Sequence, residues 1–287
     1  MRTFLRFLFR STAWVALAAL LVCLYGFFEA RRDPVIKQGR MELADWPKGA
    51  PPIRMLLLSD IHLGNATMGT ARLDRIVDQA MAQKPDLILL AGDFISGYDA
   101  QTARAVSPDL TAAMARLHAP LGVIAVLGNH DYWTDAATVR RTLSAAKVDV
   151  LVNEAIQRGP LVIGGVNDKI AKHDDVPKTE AAMRKLKGAN IILAHSPDIA
   201  RISRFGSQPV FAGHTHCGQI VVPWFGPLRT MIDHREQFPC GISHQGHHAM
   251  IVTGGVGTSI LPMRIGAPPE MWVVTLGPRD ANPASKQ

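Results

Sequence analysis

Residues 53–62 read I-R-M-L-L-L-S-D-I-H. Met55–Ser59 is a short, mainly apolar run that follows Pro51-Pro52, the pattern of a strand buried on both faces. It runs straight into Asp60 and His62, a carboxylate and an imidazole, both of them metal-ligating types. On an extended chain, residues i and i+2 project to one face, so the Asp-x-His spacing would aim both side chains together.

The same grammar recurs downstream. Leu87–Ala91 is apolar and is followed by Gly92-Asp93. Val123–Leu127 leads into Gly128-Asn129-His130-Asp131. Ile191–Ala194 precedes His195-Ser196-Pro197-Asp198, and Val210–Ala212 precedes Gly213-His214-Thr215-His216. Helical spacing is predicted over Thr70–Gln83, Ser107–Leu117, Ala136–Ala146 and Thr179–Leu186. Further strands are predicted at Leu161–Gly165, Gln219–Val222, His248–Thr253 and Trp272–Leu276, with Gln245-Gly246 turning a hairpin between Ile242 and Met250. This β-α-β-α order predicts one α/β domain of two sheets packed face to face with helices outside.

Five strand ends thus deliver carboxylate, imidazole or amide ligands. Sites in α/β proteins gather at the carboxyl ends of strands, so residues spread over about 155 positions can converge. Taken singly, each piece is more often structural: Gly-Asp is usually a turn, and His-x-His a half-exposed strand. The whole set, each member at the end of an apolar run, points to a metal site. Oxygen and imidazole donors suit Mn²⁺ first, with Fe²⁺ and Zn²⁺ as alternatives, and suit thiolate-loving ions less. A pair of such ions clamps the attacking and leaving oxygens of a phosphoryl transfer and makes hydroxide available near neutral pH.

In this order the blocks D-x-H, G-D, G-N-H-[DE], H and G-H-x-H resemble the calcineurin-like metallophosphoesterases over about residues 53–277. The resemblance implies a four-layer α/β sandwich of two mixed sheets with helices outside. It implies a first divalent ion on Asp60, His62, Asp93 and His216, and a second on Asp93, Asn129, His195 and His214. His130 would protonate the leaving oxygen or stabilise developing charge, and Asp131 would orient the His130 ring. Gly213–Gln219, Gly254–Ser259, Leu261–Arg264 and Pro269-Glu270 are similar to a bacterial branch with an N-terminal hydrophobic segment. Some members of that branch resemble UDP-2,3-diacylglucosamine pyrophosphatases of lipid A synthesis, which implies a lipid-linked nucleotide substrate. Cys217 stands where this branch often has glycine. It is read as a small residue pointing away, against the alternatives of an oxidisable thiol or an extra soft ligand.

The formal charge of +7 is uneven. The first 40 residues hold seven basic and two acidic side chains, whereas the remainder holds 24 basic and 22 acidic. A nucleic-acid face would need the excess in the folded part, so nucleic acid is disfavoured and a membrane surface favoured. Thr12–Phe28 carries no charge, has Trp14 and Tyr25 near its ends, and is read as an anchor within residues 1–32, in a bacterial inner membrane. A cleaved signal peptide and an interfacial helix are the rivals, and flanking charges on both sides leave the orientation open. Residues 33–52 hold four prolines and are read as a linker, residues 53–277 as the catalytic domain and 278–287 as a tail.

Three cysteines form no framework, and a lone Cys217–Cys240 bridge is the minority reading. Cys240, His244, His247 and His248 match no closed zinc motif and are read as loop residues. Arg264 is a candidate for binding a substrate phosphate, with a surface ion pair as the alternative. Trp224 and Phe225 could line an acyl groove or cap a sheet. The expected activity is hydrolysis of a phosphodiester or pyrophosphate bond. A general phosphodiesterase on a soluble or cell-envelope substrate, and a non-catalytic metal-binding scaffold, are the alternatives.

Overall fold

The apolar run at Met55 is a strand because it can hide both faces. Met55 and Leu57 pack into one core cluster, while Leu56 and Leu58 pack into another, and all four are fully buried. Each such Leu or Met contributes about 1.5–3 kcal/mol of apolar burial. Two hydrophobic layers on either side of one strand require a layer beyond each, and the rest of the fold supplies them.

A computed structural model describes residues 2–202, 208–228, 240–245 and 248–279. Its strands in chain order are β1 (Val35–Leu43), β2 (Ile53–Leu58), β3 (Leu87–Ala91), β4 (Val123–Val126), β5 (Asp149–Val150), β6 (Glu154–Arg158) and β7 (Leu161–Gly165). They continue with β8 (Ala189–Leu193), β9 (Val210–Ala212), β10 (Val221–Val222), β11 (Gly226–Pro227), β12 (Gly241–Gln245), β13 (His248–Val252) and β14 (Glu270–Pro278). One six-stranded sheet has the order β1-β14-β2-β3-β4-β5, and the other β12-β13-β9-β8-β7-β6. β2 to β5 are parallel, as are β7, β8, β9 and β13, with antiparallel neighbours making both sheets mixed.

The sheets face one another through Leu57, Leu89 and Ile124 on one side and Ile163, Ile191 and Phe211 on the other. Helices Thr70–Met81, Ala100–Met114 and Ala136–Ala145 cover the first sheet, burying Leu73, Leu110 and Leu143 against Leu56 and Ile88. Val176–Met183 covers the second, with Val176 and Met183 against Val162 and Ile192. The four-layer α/β sandwich is therefore observed. The helix starts are set locally: Asp99 and Asp135 accept the backbone N–H of Thr102 and Thr138, three residues on, at 2.8 and 3.1 Å.

The stretch expected as a linker needs correction. Val35–Leu43 is an edge strand, parallel to β14 with Val35 opposite Glu270 and Leu43 opposite Pro278. Lys37 and Arg40 interrupt its apolar pattern, as charges on edge strands commonly do, and so it shows no continuous run. Glu154–Arg158 lies at the opposite type of edge and carries the same mixed pattern. In the expected Gln245-Gly246 hairpin, β12 and β13 pair with Gln245 opposite His248; Gly246 and His247 lie outside the described residues.

Arg2–Arg31 forms one helix, α1, and its Phe9–Arg31 portion is long and apolar enough to cross a membrane by length and composition. Its last turns touch the domain. Ala30 is buried, the Gly26 carbonyl accepts the Arg264 N–H at 2.8 Å, and the carbonyls of Arg31 and Arg32 accept from the Arg72 guanidinium.

Candidate metal centre

The ligand candidates sit just past the ends of β2, β3, β4, β8 and β9, where the parallel strands of both sheets end side by side. Asp60, His62, Asp93, His214 and His216 all have φ between 49° and 65°. For non-glycine residues this left-handed region is uncommon, and five instances in one site mark backbone held in place by its surroundings. It also corrects the strand-alternation argument. Asp60 and His62 lie beyond β2, and tight left-handed turns bring their side chains together rather than strand pleating.

Three overlapping groups of ligand atoms result. Those of His62, Asp93 and His130 lie within 4.8 Å of one another, as do those of Asp60, His62 and His216 and those of Asp93, His195 and His214. Asp93 joins them, because its Oδ2 is 3.5 Å from His62 Nε2 and 3.2 Å from His195 Nε2. Asn129 Oδ1 stands 3.2 Å from His195 Nε2, which in turn is 3.1 Å from His214 Nδ1. His62 Nε2 and His216 Nε2 are 3.2 Å apart. All seven residues are buried. Close approach of the loops requires glycine: a β-carbon on Gly128 would collide with the Asp93 carboxylate, and one on Gly213 with Ser59 and Asp60.

The donors fit divalent cations. Asp60 Oδ2 accepts the His214 N–H at 3.0 Å, but its buried Oδ1 has no hydrogen-bond partner and faces His216 Nε2 at 3.4 Å. An unpaired buried carboxylate oxygen is costly unless a cation answers it. Burial pushes the Asp60 carboxyl up to about 6. Burial likewise pushes His62 down to about 3 and His216 well below the usual imidazole range, keeping both neutral, the form that ligates. His195 is the contrast. Burial opposes its charge, yet Asp93, Asp60 and Asp168 raise it well above its ordinary value, because three carboxylates favour positive charge in this part of the site. Its Nδ1–H points at the Ala91 carbonyl, 2.6 Å away, which leaves Nε2 facing the site. Burial would raise Asp93, but the positive field of His195 and its hydrogen bond outweigh that and hold it well below the carboxylate range.

His130 lies beside these groups, its ring 4.7 Å from that of His62. It is buried on three sides by His62, Tyr98 and Trp133, its Nδ1 has no partner, and its Nε2 is 3.5 Å from Ser259 Oγ. Asp131 does not reach that ring. Its carboxylate accepts the backbone N–H groups of Asp93, Phe94 and Gly128 at 3.0, 2.9 and 2.9 Å. Asp131 thus positions the loop that carries Asp93, and the expected contact with the His130 ring is replaced by this one. An acidic residue three positions into a helix can reach back to the N-terminal N–H groups, which is the capping geometry seen here.

Arg264, a candidate for binding a substrate phosphate, instead has its guanidinium turned to backbone carbonyls. It is fully buried, and its guanidinium donates to the carbonyls of Gly254, Gly257 and Ala267 at 2.6, 2.7 and 3.0 Å. It bolts the loops behind His216, with its terminal nitrogen 3.2 Å from His216 Nδ1. Nor does Cys217 point away unpartnered: Cys217 and Cys240 form a disulfide, 23 positions apart in sequence. A single pair far apart in the chain leaves no spacing signature, which is why an odd cysteine count concealed it.

The centre opens into a cleft of about 410 Å³ with Asp93, Asn129 and His130 in its floor and Tyr98, Trp133 and Ile260 at its rim. The rim was not legible from ligand motifs, although Trp133 lies one helical turn from His130 and therefore on its side of the helix. A second hollow of about 430 Å³ lies at the opposite ends of the strands, among Arg40, Asn190, Pro209 and Arg279, and contains none of the candidate ligands.

Comparison with known proteins gives these positions a context. The chain is 29% identical to the phosphodiesterase YaeI of Escherichia coli (strain K12) over 94% of this chain and 98% of that one. It is 30% identical to the metallophosphoesterase YkuE of Bacillus subtilis (strain 168), covering 80% of this chain and 81% of that protein. A transmembrane protein with a metallophosphoesterase domain from Danio rerio is 27% identical over 93% of this chain, which spans 63% of the fish protein's length. Residues 53–218, more than half of the 287, match the model of the calcineurin-like phosphoesterases. The chain belongs to the calcineurin-like phosphoesterase family.

Proposed function

We propose that this protein is a membrane-associated, dinuclear-metal phosphoesterase that hydrolyses a phosphodiester or pyrophosphate bond in a lipid-linked substrate. The observation that carries the reading is the position of Asp93, whose single Oδ2 lies within 3.5 Å of both His62 and His195 and so serves two ligand groups at once. One group comprises Asp60, His62, Asp93 and His216, and the other Asp93, Asn129, His195 and His214. Two divalent ions held there, Mn²⁺ first by donor type, would supply hydroxide near neutral pH and neutralise the phosphoryl oxygens. The remaining work falls to protein groups. Asn129 and the imidazoles keep their ligand atoms turned inward, and His130 delivers a proton to the departing oxygen from the cleft floor. Asp131 holds the Asp93 loop, and Arg264 the loop of His216.

UDP-2,3-diacylglucosamine is the substrate suggested by the resemblance of the branch, with the domain on the cytoplasmic face of a bacterial inner membrane. The Cys217–Cys240 bridge favours a second reading, a phosphodiesterase on a cell-envelope phosphoester, because such bridges persist in oxidising compartments. The experiment compares metal-stripped full-length protein in detergent with and without Mn²⁺, offered UDP-2,3-diacylglucosamine or bis(p-nitrophenyl) phosphate. Release of UMP only with Mn²⁺ supports the first substrate. Mn²⁺-dependent cleavage of the diester alone supports the second reading, and turnover of neither overturns the hydrolase proposal.

A further inference from the structure

β10 and β11 form a tight hairpin with Pro223, Trp224 and Phe225 at its tip. Trp224 is fully exposed and Phe225 is 77% exposed. Tryptophan at a protein–water boundary normally buries most of its ring, so this tip leaves a large apolar payload uncovered. Ile260 and Leu261, also exposed, belong to the neighbouring loop, which is tied to the base of the hairpin by Gln219 Nε2 donating to the Leu261 carbonyl at 2.8 Å. The two segments 217–228 and 254–263 contain no charged residue. Single exposed apolar residues need no explanation, but a contiguous uncharged group does.

What covers this patch follows from its place beside α1. Val221 N–H donates to the Ile265 carbonyl at 2.8 Å, and the preceding residue, Arg264, donates its N–H to the Gly26 carbonyl of α1 at 2.8 Å. Packing there is close: a β-carbon on Gly26 would lie 3.1 Å from Met263 Cβ and 3.2 Å from Ile265 Cγ1. From Gly26 to Arg31 the helix advances about 7.5 Å along the domain. Before Gly26 it leaves the domain, and Trp14, Leu17, Leu20, Leu21 and Leu24 stand exposed. The boundary between docked and bare helix therefore falls level with the loop that adjoins the hairpin.

We infer that the Pro223–Phe225 tip, with Ile260 and Leu261, is a second membrane contact that dips into the bilayer interface beside α1. Trp and Phe at headgroup depth gain apolar burial while the hairpin backbone stays paired. The same loop forms the cleft rim through Ile260, so docking sets the mouth of the cleft against the headgroup layer. The contact is independent of whether the centre is catalytic.

The test uses full-length protein carrying Trp14→Phe, which removes the indole of α1, reconstituted in phosphatidylcholine vesicles with or without brominated acyl chains. Subtracting the emission of the Trp14→Phe, Trp224→Phe protein isolates Trp224. The expected result is blue-shifted Trp224 emission that brominated lipid quenches by roughly twofold or more. Trp224 emission that is red-shifted and equal in both lipids overturns the proposal. So does a Trp224 signal that ignores brominated lipid and changes with protein dilution, which would assign the patch to a second copy of the chain. Because Trp224 is fully exposed, its replacement leaves the fold intact.

Discussion

Asp131 and Asp93 hold each other's loops through the main chain. Asp131 Oδ2 receives the Asp93 N–H at 3.0 Å, and Asp93 Oδ1 receives the His130 N–H at 2.9 Å. The turn after β3 and the helix after β4 are thereby locked into one unit. An asparagine at 131 would turn an amide donor toward backbone donors that are already buried. Asp131→Asn is expected to weaken metal affinity by about 10–100-fold. Metal titration followed by elemental analysis checks this, and unchanged affinity with reduced turnover would instead return Asp131 to a role at the His130 ring.

His130 makes the complementary case. It belongs to the cleft floor but to neither of the two proposed ligand sets. His130→Ala is expected to retain both ions while turnover falls by about 10²–10⁴-fold. The loss should shrink for a p-nitrophenyl leaving group, which departs without a proton, and grow for an alkoxide. Equal losses for both leaving groups would remove the acid role.

Asp93→Asn is expected to strip both sites rather than one, since one carboxylate faces both groups. The measurement is metal stoichiometry after dialysis. A variant retaining one tightly bound ion would show that Asp93 serves a single site.

Arg264 should act on stability before it acts on substrate. Removing its guanidinium leaves several buried carbonyls without donors, each costing about 1–3 kcal/mol. Arg264→Met is therefore expected to lower unfolding free energy by at least about 3 kcal/mol, with Arg264→Lys a poor substitute because one ammonium cannot reproduce the planar fork. Denaturant unfolding distinguishes this from a phosphate contact, which would raise KM and leave stability alone.

The Cys217–Cys240 bridge closes a loop with a sequence separation of 23, for which the chain-entropy account gives about 3 kcal/mol. Cys240→Ser should lower stability by about that amount and loosen the segment next to His216. Thiol trapping of the protein in intact cells should find both cysteines blocked. Free thiols in fresh lysates would instead favour the cytoplasmic substrate.

The centre was legible because ligand chemistry is written locally. Asp60, Asp93, Asn129, His195 and His214 each follow an apolar run, and topology alone brings them together. The residues that support them were harder to see. Arg264 is an isolated arginine whose burial depends on three backbone carbonyls, and Asp131 takes its role from donors 36 to 38 positions away. Strand β1 reads as linker in the sequence because half of an edge strand faces water and carries charge. Boundaries shifted as well: Ala100–Met114 begins seven residues before the periodic part at Ser107, started by the Asp99 cap and carrying Pro108 inside it.

That strand has a kinetic consequence. Only Arg32, Asp33 and Pro34 lie between the end of α1 and Val35, and the sheet takes up the chain from there. Three residues reach at most about 11 Å. Once α1 is in a bilayer, the domain has no slack with which to sample the surrounding volume. A substrate held in the same membrane would then be met by lateral diffusion. Rates on such a substrate would scale with its mole fraction in the adjoining leaflet, and diluting the vesicles at fixed composition would leave them unchanged, whereas rates on a soluble phosphoester would follow its bulk concentration.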